Sequence, residues 1–179
     1  MPCARESLSY VIIRGMSLLR FASLVVLALW VGGLATLGLL AAPAIFDVLE
    51  AHDPQTGRTL AAAVFGTVFR RFQHAAWVLG AVLLALQAAR ALLGPRPRRM
   101  ALRVWAVMAM VGMSLVGALV IAPRIEAIRG STPGTVASLP DTDPRKTEFG
   151  RLHGLSNGLM LFTLITGAGL IWAEMKDHG

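Results

Sequence analysis

Four stretches of the chain are long, apolar and poor in charge: roughly 21–46, 74–93, 101–122 and 152–173. Each is near the ~20 residues that an α-helix needs to cross a hydrocarbon core of about 30 Å. Polar residues collect between them, so the pattern predicts an all-α, integral membrane four-helix bundle. A weaker signal precedes the second stretch. In "GRTLAAAVFGTVFRRFQ", residues 57–73, Leu60, Val64, Val68 and Phe72 form an i, i+4 apolar stripe. Joined to the second span it makes a helix longer than ~50 Å at ~1.5 Å per residue. Its first part must then protrude, lie on the bilayer surface or break near Gly66. Pro43 and Pro123 fall near the ends of the first and third spans, where a missing N–H and a crowded preceding turn kink or loosen a helix. "GSTPGTVASLPDTDPRK", residues 130–146, reads as an irregular loop.

Composition sharpens this picture. The chain has 179 residues, 55% of them hydrophobic and 15% charged, with a mean hydropathy of +0.64. Soluble domains carry about 25% charged residues, so lipid is the solvent this sequence fits. The net charge of +7 is therefore not a nucleic-acid signal; it sits in the connections, above all in "RALLGPRPRRMALR", residues 90–103. Arg90, Arg96, Arg98, Arg99 and Arg103 have no acidic neighbour there, and short basic loops stay cytoplasmic. Both termini then lie on the cytoplasmic side, in agreement with Arg5, Arg14, Arg20 and Lys176. In the other two loops, Asp47, Glu50, Asp53, Glu126, Asp141, Asp143 and Glu148 dilute the basic residues. Cys3, the one cysteine, excludes disulfides within the chain and thiolate metal clusters. The first apolar run is too long for a signal-peptide core, so it reads as a retained span despite Ala42-Pro43-Ala44. Residues 1–15 read as a flexible extension, with Met16 an alternative start; 16–176 form one transmembrane domain and 177–179 a tail.

The sequence aligns with itself at an offset of 80 residues. "LAAPAIFD" (40–47) falls on "VIAPRIEA" (120–127), matching Pro43 to Pro123. Without a gap, Phe69 meets Phe149, Arg71 meets Arg151 and Gln73 meets His153. A matched proline and an F-x-R-[FL]-[QH] element at one offset point to two tandem helical hairpins. Two spans per half make the halves parallel, related by a pseudo-twofold axis along the membrane normal.

The candidate chemistry clusters at the outer ends of spans 2 and 4. "FGRLHGLSNGLMLF", residues 149–162, carries Arg151, His153, Ser156 and Asn157; "FRRFQHAAW", residues 69–77, carries Arg71, Gln73 and His74. His153 and Asn157 are four apart and share a helix face. With Arg124 and Glu126 these residues form a polar rim for a ligand, an ion or a partner. The plainer reading is that they cap helices, bind lipid headgroups or pair with Asp47, Glu50 or Glu126. Alternatively, His74 and His153 converge across the axis to ligate a haem b iron or a copper ion, although the repeat aligns His153 with Gln73. Gly150, Gly154 and Gly158 form a GxxxGxxxG stripe, which predicts close packing of helix 4 within the chain or a homodimer face. Met100, Met108, Met110 and Met113 read as apolar filler, and His52 and His178 as solvated. No nucleotide loop, HExxH motif or nucleophile elbow is present, so a non-enzymatic module is expected.

"LWVGGLATLGLLAAPAIF", "VFGTVFRRF", "APRIEAIR" and "FGRLHGLSNGLMLF" together resemble the TMEM205-like membrane proteins, bacterial members of which form the DUF4149 family. The likeness spans about residues 16–173. It implies a small four-span protein of the bacterial inner membrane with no settled biochemical role. The residues themselves are read as those of a transport-related or interaction module, with the lipid bilayer and a homodimer or membrane-protein partner as its contacts. The family is also distantly similar to the CopD and HemJ-type membrane proteins, some of which bind haem through histidines. That likeness touches only His74 and His153 here.

Overall fold

The computed structural model describes residues 3–54, 56–93, 99–132 and 134–176, with side chains from residue 14 onward. Gly94, Arg96 and Arg98 of the basic connection lie outside the described residues, as do Arg5 as a side chain and the 177–179 tail with His178. The described residues contain six α-helices: α1 (Cys3–Thr36), α2 (Ala42–His52), α3 (Gly57–Leu93), α4 (Met100–Val116), α5 (Ala122–Gly130) and α6 (Pro144–Lys176). Five-residue π-helical segments, Leu37–Ala41 and Gly117–Ile121, join α1 to α2 and α4 to α5 without interrupting the rod. Four continuous helices result, each long and apolar enough to cross a membrane: Arg14–His52, Gly57–Leu93, Met100–Gly130 and Pro144–Lys176. They outrun the apolar stretches because polar first turns find partners. At α6, Asp143 caps the helix by accepting from the Arg145 backbone N–H at 2.9 Å, and Pro144 needs no partner for an absent donor.

The helix of the second span does not break at Gly66; α3 is continuous over 37 residues. Pro43 and Pro123 do not end their helices either. Each follows a π segment, whose wider turn takes up the ring and the missing N–H that would clash in an α-turn. The two π segments begin 80 residues apart, the offset of the sequence match.

In the bundle α1 packs on α3 and α6, and α4 packs on the same two, so successive spans are neighbours around a ring. Leu27, Trp30, Leu83, Val107, Met110 and Leu170 fill the centre. Two glycines permit the close approaches here. A methyl at Gly80 would run into Val111 and Trp30, and one at Gly167 into Val31 and Met110. These positions do what the sequence led us to expect of Gly150, Gly154 and Gly158. Its within-chain part is corrected: an added Cβ at any of those three would meet nothing within 4 Å in the chain. Their spacing sets them near one face of α6, but that face is not the packed one.

At the end carrying the termini, each of the four spans contributes a charged residue to one knot. Arg90 of α3 and Arg103 of α4 both donate to Glu174 Oε1 of α6, at 2.7 and 2.8 Å. Arg103 also donates to the Ala173 carbonyl (3.1 Å), and Arg20 of α1 to the Glu174 carbonyl (2.8 Å). Arg90 and Glu174 are each 1% exposed. Gln87 Oε1, Arg90 Nε and Glu174 Oε2 are buried with no hydrogen-bond partner among the described residues, so the knot is tight but not saturated.

The opposite end is built differently. There α2 lies along the start of α3, and α5 along the start of α6, with no comparable packing between the two pairs. Gly57 seats the first pair: its Cα lies so near the Leu49 carbonyl that a Cβ has no room. Arg58 and Glu50 approach to 3.9 Å beside it. Ile121, Ile128, Val136 and Leu152 form a second small core that holds the other pair and the loop after α5.

A candidate ligand cleft between the two halves

Where the pairs part, a cleft of about 800 Å³ opens. One wall comes from the first π segment, α2 and α3 (Gly38, Phe46, Phe65, Phe69), the other from the second π segment, α5 and α6 (Ala118, Ile121, Met160). Met160 closes over Gly38, and Gln73 reaches towards Gly117, so each half touches the other's π segment. Along α3 the lining residues Ala62, Phe65, Gly66, Phe69, Arg70 and Gln73 recur at helical spacing, the pattern of a single face. A second space of about 730 Å³ shares Phe46, Glu126, Arg129 and His153 with the first and is bounded by Arg58, Lys146 and residues 134–137.

Gln73 is 8% exposed and its orientation follows from a relay. Trp77 Nε1 donates to Ser114 Oγ at 3.1 Å, so the Ser114 hydroxyl donates onward to Gln73 Oε1 at 2.6 Å. The oxygen of the amide is thereby taken, and its NH₂ is what the side chain offers to the cleft. His153 lies almost parallel to Phe149, with ring centroids 6.0 Å apart. Arg129 sits 5.5 Å from the Phe149 centroid and donates to Glu126 at 3.1 Å. Ser156 and Asn157 complete the polar lining from α6. At the rim, Lys146 donates to Asp141 at 2.7 Å and to the Leu139 carbonyl at 2.9 Å. Arg145 fixes the loop by donating to Asp143 and to the Ser131 carbonyl. The hydrogen bond and charge of Lys146 hold the Asp141 carboxyl below its ordinary range. The Arg145 side chain, and then its backbone N–H, do the same for Asp143.

The cleft thus gathers Gln73, Glu126, His153, Ser156 and Asn157 from the residues picked out in the sequence. It does not take Arg71, Arg124 or Arg151, which are exposed outside it. Nor does it take His74, whose ring rests 5.0 Å from that of Trp77. The two imidazoles therefore do not converge on this space. Among the described residues no group of three or more His, Cys, Asp or Glu side chains is arranged to hold a metal ion. Sequence reasoning missed Arg70, which lines the cleft. The signal was available: Arg70 is three residues before Gln73 and on its helix face, whereas Arg71 is turned away. The termini-end knot was also missed, because Arg90 and Arg103 read as loop charges.

Fold and cleft together define the class, an all-α multi-pass membrane protein with four spanning helices and a split bundle. Within that class, the chain belongs to the family described as "Domain of unknown function (DUF4149)", whose profile matches residues 25–132. The match runs from the middle of α1 to just beyond α5. No curated protein and no solved structure matches the chain.

Proposed function

We propose that the protein is a non-enzymatic, transport-related or interaction module of the bacterial inner membrane, whose ligand occupies the cleft between its two halves. The observation that carries this reading is the parting of α2–α3 from α5–α6 around a space with apolar walls and a polar lining. Volumes of roughly 300–1,000 Å³ with few, placed polar groups are typical of small-molecule sites. We place the termini and the basic connection on the cytoplasmic side, supported by the concentration of arginine there, which leaves the cleft facing outward. We read the halves as tandem repeats about a pseudo-twofold axis, supported by the common offset of sequence match, proline and π segment.

In a Cys3→Ser background, Ala118→Cys sits in the cleft wall. It reacts with a membrane-impermeant maleimide added to intact spheroplasts, and prior treatment with a small permeant thiol reagent blocks that reaction. Labelling only when the reagent is added to the outside of inverted vesicles, where the cytoplasmic face is exposed, overturns the orientation. A thiol inert from both sides of the membrane overturns the cleft as a ligand site.

A further inference from the structure

We infer that the cleft takes an amphiphile with an oxyanion head, a carboxylate or a phosphate, on an apolar chain; this rests on the cleft being the ligand site. The walls select the chain. Phe46, Phe65 and Phe69 from one half and Met160 from the other line the space with apolar surface. The head is selected by unbalanced charge. Of the cations bordering the two connected spaces, Arg129 is answered by Glu126, Lys146 by Asp141 and Arg58 by Glu50. Arg70 has no acidic or hydrogen-bonding partner among the described residues.

Arg70 is exposed at the cleft, so its charge is met by solvent and not by an acid of the protein. An unpaired charge beside an apolar space in a membrane protein marks a ligand or ion site. Arg70 stands one turn from Gln73 on α3, so its guanidinium and the free NH₂ of Gln73 share one side of the cleft. Asn157 and Ser156 supply an amide and a hydroxyl from the opposite half. A guanidinium fork beside neutral donors matches the paired oxygens of a carboxylate or phosphate, and a charge-assisted bond is about twice as strong as a neutral one. A neutral amphiphile would fill the same walls and leave Arg70 unanswered. No other cation on the cleft lacks its own acid, which is why the head is assigned to Arg70 and not to the rim.

The test uses the full chain in nanodiscs of phosphatidylcholine and the displacement of a fluorescent fatty acid. Palmitate, lysophosphatidate of the same chain length and cetyl alcohol are the competitors. Palmitate or lysophosphatidate should displace the probe at least tenfold more tightly than the alcohol, and the better of the two assigns the head as carboxylate or phosphate. Arg70→Gln should weaken the acid by roughly tenfold to a hundredfold, the loss of a bond to a charged group, and leave the alcohol unchanged. Arg71→Gln, one residue away but outside the cleft, should change neither. Gly66→Trp places a ring in the cleft, where an added Cβ meets open space, and should abolish all displacement. Retained elution volume and thermal midpoint show that each variant is folded. Equal binding of acid and alcohol, or no effect of Arg70→Gln, with Gly66→Trp still blocking, overturns the anionic head and leaves the cleft standing. Probe binding that Gly66→Trp does not alter overturns both.

Discussion

The two ends of this bundle use the same four helices to opposite effect. At the termini end, Arg20, Arg90, Arg103 and Glu174 draw all four spans onto one carboxylate and the carbonyls beside it. At the proline end, α2 is bound to α3 and α5 to α6, and space separates the pairs. Apolar packing cannot explain the difference, since lipid tails are as apolar as the helices and give little reason to close one end over the other. Buried ions can. A carboxylate and guanidinium groups out of water must find each other, which fixes the helices that carry them.

The largest expected effect lies at the closed end. Glu174→Ala leaves Arg90 buried without its carboxylate, a loss on the order of 3–5 kcal/mol. Unfolding in mixed detergent micelles should shift accordingly, and all four spans should loosen together at that end. An unchanged midpoint would mean that the knot does not hold the bundle. A smaller loss, about 1–3 kcal/mol, is expected for Gln73→Leu, which deprives the buried Ser114 hydroxyl of its acceptor and breaks the relay from Trp77. Trp77 fluorescence should report it, while the termini end stays intact; loosening at both ends would erase the contrast between them. The smallest effect belongs to the rim loop. The pKa values of Asp141 and Asp143 are depressed, so their contribution is present above the ordinary carboxylate range and is lost as pH falls below it. Amide exchange in residues 134–146 should rise on strong acidification and leave the spans protected. Loosening of the spans in step with the loop would show that the loop is not an independent element.

Much of the architecture was legible because lipid imposes one rule, that a span must be long and apolar. The four spans follow from it; the irregular stretch between α5 and α6 followed instead from its turn residues, although the structure begins α6 at Pro144, inside the predicted loop. What the sequence did not disclose were choices among faces. Gly150, Gly154 and Gly158 had the spacing of a packing stripe, yet packing went to Gly80 and Gly167, where large side chains such as Trp30 and Val31 arrive from neighbouring helices. Arg70 and Arg71 differ only by a 100° rotation about α3, and one faces the cleft while the other does not. Arg90 and Arg103 flank a basic connection and resembled its loop charges. Glu174 was the available sign, an acid near the apolar end of the last span, but which side of the helix turned inward was not written in its position. Glu126 lines the cleft, and its pairing with Arg129 was not foreseen.

The π segments carry a further consequence. A π turn holds one more residue than an α turn in the same length of rod, so each segment amounts to a single-residue insertion accommodated without a break. Removing one residue from either would take away the wider turn, set the proline ring against an α-turn and kink the rod there, and swing everything from the proline to the end of that helix by about a quarter turn. Such a deletion would re-aim one wall of the cleft while every residue of the charged knot kept its register. In this architecture the shape of the recognition surface can change in steps of one codon, independently of the part that holds the molecule together.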